Sequence, residues 1–344
     1  MFTKKIMASI LIGILPVAIQ STSMAASVNV DVYGKIHFSA DYIDNGSSDD
    51  ITVGSNSSRI GFKGSQPLKH EIKAVWKLES DMDASGERGD LKARNRYLGL
   101  KHKAAGTLIV GYHDTPFKTL GGKSGVLHDT IAERRGILGA GNGDNKFNIR
   151  GKNSVMYVSP NFSGLEFRAM RSAGDDTDSS TDENPVTSVS AVYKNKMAYV
   201  GVAYEEQTVP KVDGSGVRVG GGVKMKDTSI NAIYETLSSD NNKKFDRAVY
   251  GISAAHVIGD TTLKAQVFTA EDYSGTKDSG GLLWGLGAEY KLDKNFLVYG
   301  VVAGVENDDN GEFVLAGSGH GEKYKPASPG DSLIGVSGGM IFKF

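Results

Sequence analysis

Val28-Asn29-Val30-Asp31-Val32-Tyr33-Gly34-Lys35-Ile36-His37-Phe38-Ser39-Ala40-Asp41-Tyr42 is the stretch on which the fold turns. One parity holds Val28, Val30, Val32, Gly34, Ile36, Phe38, Ala40 and Tyr42, and the other holds Asn29, Asp31, Tyr33, Lys35, His37, Ser39 and Asp41. Successive side chains of a strand point to opposite faces, so this alternation predicts one strand with an apolar and a polar face. At about 3.4 Å per residue it outruns the usual soluble strand of about five to six residues. It suits a tilted crossing of an apolar band about 25 Å tall.

The same period recurs along the chain. Ile72, Ala74, Trp76 and Leu78 alternate with Lys73, Val75, Lys77 and Glu79, while Val217, Val219, Gly221, Val223 and Met225 alternate with Arg218, Gly220, Gly222 and Lys224. Leu282, Trp284, Leu286, Ala288, Tyr290 and Leu292 form a third case. This reading predicts sixteen strands, the second over 57–65 and the fifteenth over 295–306. Tight turns such as Asn195-Lys196, Asp227-Thr228, Gly259-Asp260 and Asp293-Lys294 alternate with long polar loops, including 174–184 and 307–329. Short turns on one rim and long loops on the other are the pattern of a membrane barrel. The Pro residues beyond the leader all fall in predicted turns or loops, where no ladder donor is lost. Residues 296–305 are apolar on both parities, which the sequence reading takes as burial against another subunit.

Composition limits the alternatives. The 344 residues carry a net charge of -1, 44 Gly, 8 Pro and no Cys, which excludes disulfides, thiolate metal sites and a Cys nucleophile. Near-neutral charge removes the whole-chain case for nucleic acid. Lys4 and Lys5 precede an apolar run from Ile6 to Ile19, and Ser23-Met24-Ala25 has the small-x-small form of a cleavage site. The run is shorter than a membrane-spanning helix, so residues 1–25 are expected to be a cleavable signal peptide. No later segment reads as a spanning helix, which leaves a soluble exported protein or a closed barrel, whose strands pair without a free edge.

Ser58-Arg59-Ile60-Gly61-Phe62-Lys63-Gly64, followed by Ile72-Lys73-Ala74-Val75-Trp76-Lys77-Leu78-Glu79, resembles the second and third strands of the general Gram-negative porins, particularly the trimeric neisserial and beta-proteobacterial branch. Val28 to Lys35 resembles the first strand and Arg94-Asn95-Arg96-Tyr97-Leu98-Gly99-Leu100-Lys101 the fourth. Tyr157 to Leu165, Leu286-Gly287-Ala288-Glu289-Tyr290 and the terminal Met340-Ile341-Phe342-Lys343-Phe344 are similar to later elements. The resemblance implies an all-β fold: a 16-stranded antiparallel transmembrane β-barrel over 26–344, with the third external loop (115–151) folded inward as a constriction. It implies an outer-membrane homotrimer passing ions and small hydrophilic solutes. Partners on this view are outer-membrane lipid, lipopolysaccharide and the barrel-assembly machinery, with no cofactor. The family's basic ladder carries over to Lys35, Arg59, Arg94, Arg96 and Arg150, the loop acids to Asp129, Glu133 and Asp144, and the assembly signal to Phe344. The loop departs from the family in being net basic, through Lys118, Lys123, Arg134, Arg135 and Lys146, so a mild anion preference is expected.

Other chemistry finds little support. The seven His show no pair at ligand spacing, so no metal site is expected. Gly122-Lys123-Ser124 lacks the first Gly of a P-loop, and no Gly-x-Ser-x-Gly elbow is present. Asp175, Asp176, Asp178, Asp182 and Glu183 read as a solvated loop, and Arg88-Gly89-Asp90 as a chance match to an adhesion tripeptide. A substrate-specific porin, a barrel enzyme or adhesin, and a soluble sugar-binding β-sandwich remain the competing readings.

Overall fold

The computed structural model describes residues 29–86, 91–140, 147–173, 185–208, 214–239 and 246–344. Within them the alternation becomes one antiparallel sheet that closes on itself. Its strands are β1 (Asn29–Asp44), β2 (Asp49–Ser55 and Arg59–Pro67), β3 (Ile72–Asp81), β4 (Lys92–His102), β5 (Gly106–Asp114), β6 (Arg150–Val158), β7 (Leu165–Ser172) and β8 (Val186–Lys194). They continue as β9 (Ala198–Gln207), β10 (Gly214–Met225), β11 (Thr228–Ser239), β12 (Arg247–Ile258), β13 (Thr261–Ala270), β14 (Gly281–Lys291), β15 (Phe296–Asn307) and β16 (Leu333–Lys343). Each strand pairs with the next, and β16 returns to β1 with Lys343 opposite Lys35 and Ile334 opposite Asp44. The result is the sixteen-stranded barrel expected from the alternation, without the edges an open sheet would present.

The sequence reading starts β2 at residue 57; the structure adds the segment Asp49–Ser55. Both pieces pair with β1, the first along 38–44 and the second along 29–35. Between them the chain leaves the ladder at Asn56–Ser58, where Ser57 has a left-handed φ of 48° and the Asn56 N–H reaches the His37 carbonyl at 2.8 Å. Only Ile51 and Val53 alternate here, outward and exposed, between flanking Asp, Gly and Ser, so the pattern is too short to stand out in the sequence.

The period of two sorts the side chains. Val30, Val32, Leu78, Leu98, Leu100 and Val336 point outward and stay exposed, while Lys35, His37, Ser39 and Asp41 point inward and are buried. Tight connections lie on one rim. At residues 226–227 and 259–260 the left-handed Lys226 and Gly259 close two-residue hairpins.

Two long loops fill part of the barrel. The loop after β5, here L3 (residues 115–149), carries a short helix α1 (Pro116–Gly121) capped by Thr115, whose side chain accepts from the Lys118 N–H. The loop after β15, here L8 (residues 308–332), folds in beside it. Leu127, Ile131, Ile137 and Leu138 of L3 and Phe313 and Leu315 of L8 pack on Phe268, Leu283, Val301, Ala303 and Val305 of the wall. The inward parity of β15 within 296–305 is apolar because it lies beneath L3 and L8; the loops do not cover its outward parity. The predicted signal peptide, Arg88-Gly89-Asp90 and the 174–184 acids lie outside the described residues.

Candidate functional site

L3 is held against the wall by inward side chains of β8 and β10–β13. Arg218 on β10 and Glu235 on β11 are opposite one another in the ladder, form an ion pair and are fully buried. Arg218 donates to the Phe117 carbonyl at 2.9 Å and lies 3.9 Å from the Phe117 ring centroid, while Glu235 accepts from the Gly139 N–H at 2.7 Å. One buried pair therefore ties both the start and the middle of the loop. The Gln266 side-chain oxygen accepts from the N–H groups of Val126 at 3.0 Å and Leu127 at 3.2 Å. Ser188 accepts from the Phe117 N–H at 3.1 Å, and Arg247 donates to the Ile137 carbonyl at 3.2 Å. These anchors were not singled out in the sequence, where Arg218, Glu235 and Gln266 are simply polar residues on the inward parity.

So held, L3 presents its charged turn to β1 and β2. Asp129 lies between Lys35, at 2.8 Å, and Arg135, at 3.0 Å. Its left-handed φ of 57° belongs to the tight turn in which its own N–H donates to Glu133 at 2.8 Å. Glu133 also pairs with Arg134 and Arg135, each at 2.9 Å. Burial pushes both carboxyls up, but Lys35 and Arg135 at Asp129, and Arg135 and Arg134 at Glu133, outweigh it and hold them below the ordinary range. Burial beside Arg134 lowers His128 to about 4, so the ring is neutral at pH 7 and its Nδ1 accepts from Arg134 at 2.9 Å. Lys118, 2.7 Å from Asp114, is lowered by burial to about 8 despite that partner.

These groups border a cavity of about 520 Å³ between L3 and the wall. Its basic lining is Lys35, Arg59, Lys118, Arg134, Arg135, Lys264 and Lys343; its acidic lining is Asp114, Asp129 and Glu289. Lys264 is paired with Glu289. Arg59 and Lys343 form no ion pair among the described residues, so the opening keeps a surplus of positive charge. Fixed charge in a narrow, partly desolvated passage sorts ions by sign.

A family model described as Gram-negative porin matches residues 14–310. The chain belongs to that family. This porin is 27% identical over 168 residues to the major outer membrane protein P.IB of Neisseria gonorrhoeae, a match covering 44% of this chain and 45% of that one. It is 27% identical over 169 residues to P.IB of Neisseria meningitidis serogroup B, covering 44% and 46%. The match thus spans less than half the length of these relatives. Among solved structures, the anion-selective porin from Comamonas acidovorans superposes with a TM-score of 0.78 at 18% identity, covering 92% of this chain and 100% of that chain. OmpT of Vibrio cholerae, in its trimer form, superposes with 0.71 at 19%, covering 92% and 99%. At these identities the superpositions speak to the fold.

The structure distributes the predicted site residues of this porin unevenly. Lys35, Arg59 and Asp129 meet at the cavity. Arg150 pairs with Asp114 at 3.0 Å behind that opening, and Arg94 with Glu79 at 2.8 Å. Glu133 is fully buried and reaches the cavity only through the arginines it holds. Arg96 is a correction. The register shifts between Leu78 and Ser80, leaving Arg94 and Asn95 opposite Glu79. Such a bulge turns Arg94 inward, with Glu79, and leaves Arg96 opposite outward Leu78, where it donates to Ser80 at 2.7 Å. Asp144 lies outside the described residues. Phe344 closes the barrel, its N–H donating to Gly34 at 3.2 Å and its carbonyl accepting from Gly34 at 2.9 Å.

Proposed function

We propose that this chain forms a water-filled diffusion channel in the Gram-negative outer membrane, passing ions and small hydrophilic solutes with a preference for anions. The observation that carries the reading is the surplus of cations at the 520 Å³ opening between L3 and β1–β2, with Arg59 and Lys343 unpaired among the described residues. Membership of the porin family supports the channel, and the exposed apolar belt supports burial in a membrane. The Vibrio structure, described as a trimer form, supports a homotrimer, and the terminal Phe344 supports handling by the barrel-assembly machinery. The channel acts without catalysis. Ser39, Asp41 and His320 do approach one another, at 3.0 Å from Ser39 to Asp41 and 3.1 Å from His320 to Asp41, but all three are buried where L8, which carries His320, meets β1. One imidazole nitrogen serves both partners, so the group fastens L8 to β1 and presents no nucleophile.

Reversal potentials across planar bilayers under a salt gradient test this reading. The wild type should favour anions, increasingly as salt falls and the screening length grows beyond about 8 to 10 Å. Arg59→Ser should move the reversal potential towards cations, and Arg96→Ser should leave it in place. A cation-preferring wild type at low salt refutes the reading.

A further inference from the structure

L8 reaches the charged turn of L3 through the run Gly317-Ser318-Gly319-His320-Gly321. The Gly317 backbone lies directly on that of Arg135 and Gly136, and a Cβ at this position would overlap both. Gly319 has a left-handed φ of 114° and lies on the Arg135 guanidinium and the Asp129 carboxylate, where a Cβ would overlap the ion pair itself. The neighbouring Ala316 donates its N–H to the Ile131 carbonyl at 2.8 Å. Asp129 therefore meets three elements. Its Oδ2 faces Lys35 on β1, its Oδ1 faces Arg135, and the backbone of L8 covers that second contact.

The other side of the same tip is fastened to the wall. His320 meets Asp41 at 3.1 Å, and the Gly321 N–H donates to the Asn56 side chain at 2.7 Å. The Tyr324 hydroxyl bonds to Thr52 and donates to Asp41 at 3.1 Å. Asp41 stands on the same inward row of β1 as Lys35. Leu315 and Tyr324 exchange backbone hydrogen bonds of 3.1 and 3.2 Å, which close the tip into one piece. A piece closed on itself and held on two sides transmits a loss on one side to the other.

We propose that Gly319 and Tyr324 are specificity-determining residues of the channel: seated by the Tyr324 and His320 latch, L8 holds Arg135 against Asp129 and narrows the opening, and unseated it leaves a wider, less selective one. Covered by backbone, the ion pair interacts in a poorly screened setting and stays closed. Lifting the tip admits water, weakens the pair and adds cross-section. Fixed charge sorts ions less in a wider and wetter passage, so conductance should rise as anion preference falls. The inference deepens the channel reading above and rests on it. Gly319 and Tyr324 carry no charge, so any shift in preference that they cause is a shift in the position of other groups.

Single-channel recording of the full chain in planar bilayers, with reversal potentials under a salt gradient, tests the latch. Tyr324→Phe removes the hydroxyl ties to Thr52 and Asp41 and changes no charge. Losing two hydrogen bonds should raise the time spent in a higher-conductance level about thirtyfold. Gly319→Ala should hold the channel in that level, with its reversal potential nearer zero than that of the wild type. Tyr324→Phe should then add nothing to Gly319→Ala, because both release the same tip. If Gly319→Ala does not fold, the near-isosteric Tyr324→Phe carries the test alone. Wild-type levels and reversal potential in Tyr324→Phe overturn the proposal, and so do additive effects of the two substitutions. A cation-preferring wild type would sink the preference proposed above, while the conductance levels would still decide the role of L8.

Discussion

Replacing Arg218 by Met tests whether the buried pair beneath L3 sets the width of the opening. Arg218 and Glu235 are both 0% exposed, so removing the guanidinium strands a carboxylate whose remaining close partner is the Gly139 N–H at 2.7 Å. Stranding one member of a buried pair costs about 3 to 5 kcal/mol, which should lower the denaturant midpoint of the barrel. The double variant Arg218→Met/Glu235→Leu removes the stranded charge and should regain most of that loss, since well-packed apolar residues replace buried pairs at little cost. It still lacks the tie to the Phe117 carbonyl, 2.9 Å long in the wild type, and the tie to Gly139. At about 1 kcal/mol net for each hydrogen bond, the hold on L3 weakens by about 2 kcal/mol, a roughly thirtyfold rise in displaced loop conformations. Single-channel recording should show greater open-channel noise, and liposome swelling should show faster entry of bulky sugars. If the double variant keeps the wild-type noise and size limit, Gln266, Ser188 and Arg247 hold the loop unaided, and the reasoning fails.

Leu78 is 54% exposed on the outward face, so Leu78→Arg should destabilise the barrel by about 2 to 4 kcal/mol if it lies near the midplane, while inward Lys77→Arg should be mild; equal shifts in refolding titrations would refute the sorting of faces. Lys118, lowered to about 8, is an ammonium below that pH and neutral above it. Anion preference should therefore fall as pH rises through about 8, and Lys118→Gln should remove that step from a titration of reversal potential. Deleting Phe344 takes away the last tie to Gly34 and the ring tilted against Phe342, with centroids 6.0 Å apart. Surface-assembled protein should drop on blots of outer-membrane fractions while export across the inner membrane continues, and normal assembly would remove that role.

The barrel was legible in the sequence because its cause is local. Lipid on one side and water or polar loop on the other impose a period of two, and β1 displays it residue by residue from Asn29 to Tyr42. Lys35 was legible for the same reason, since inward parity on β1 places it on the inner wall, whereas Arg59 was reached through the resemblance of Ser58 to Gly64 to a porin strand. Asp129 was legible only as an acid in a long loop. Its position between Lys35 and Arg135 depends on anchors from β8 and β10–β13, up to 140 residues away in the chain in the case of Gln266 and Val126. Arg96 shows the limit most clearly. Parity along β4 treats Arg94 and Arg96 alike, but the bulge opposite Glu79 inserts one residue into the ladder and sends the two arginines to opposite faces. The inward apolar run of β15 follows the same rule, since L3, which packs against it, comes from distant sequence. Asp49–Ser55 differs: its partner is the neighbouring stretch 38–44, across a short turn, and its alternation is confined to Ile51 and Val53 among Asp, Gly and Ser.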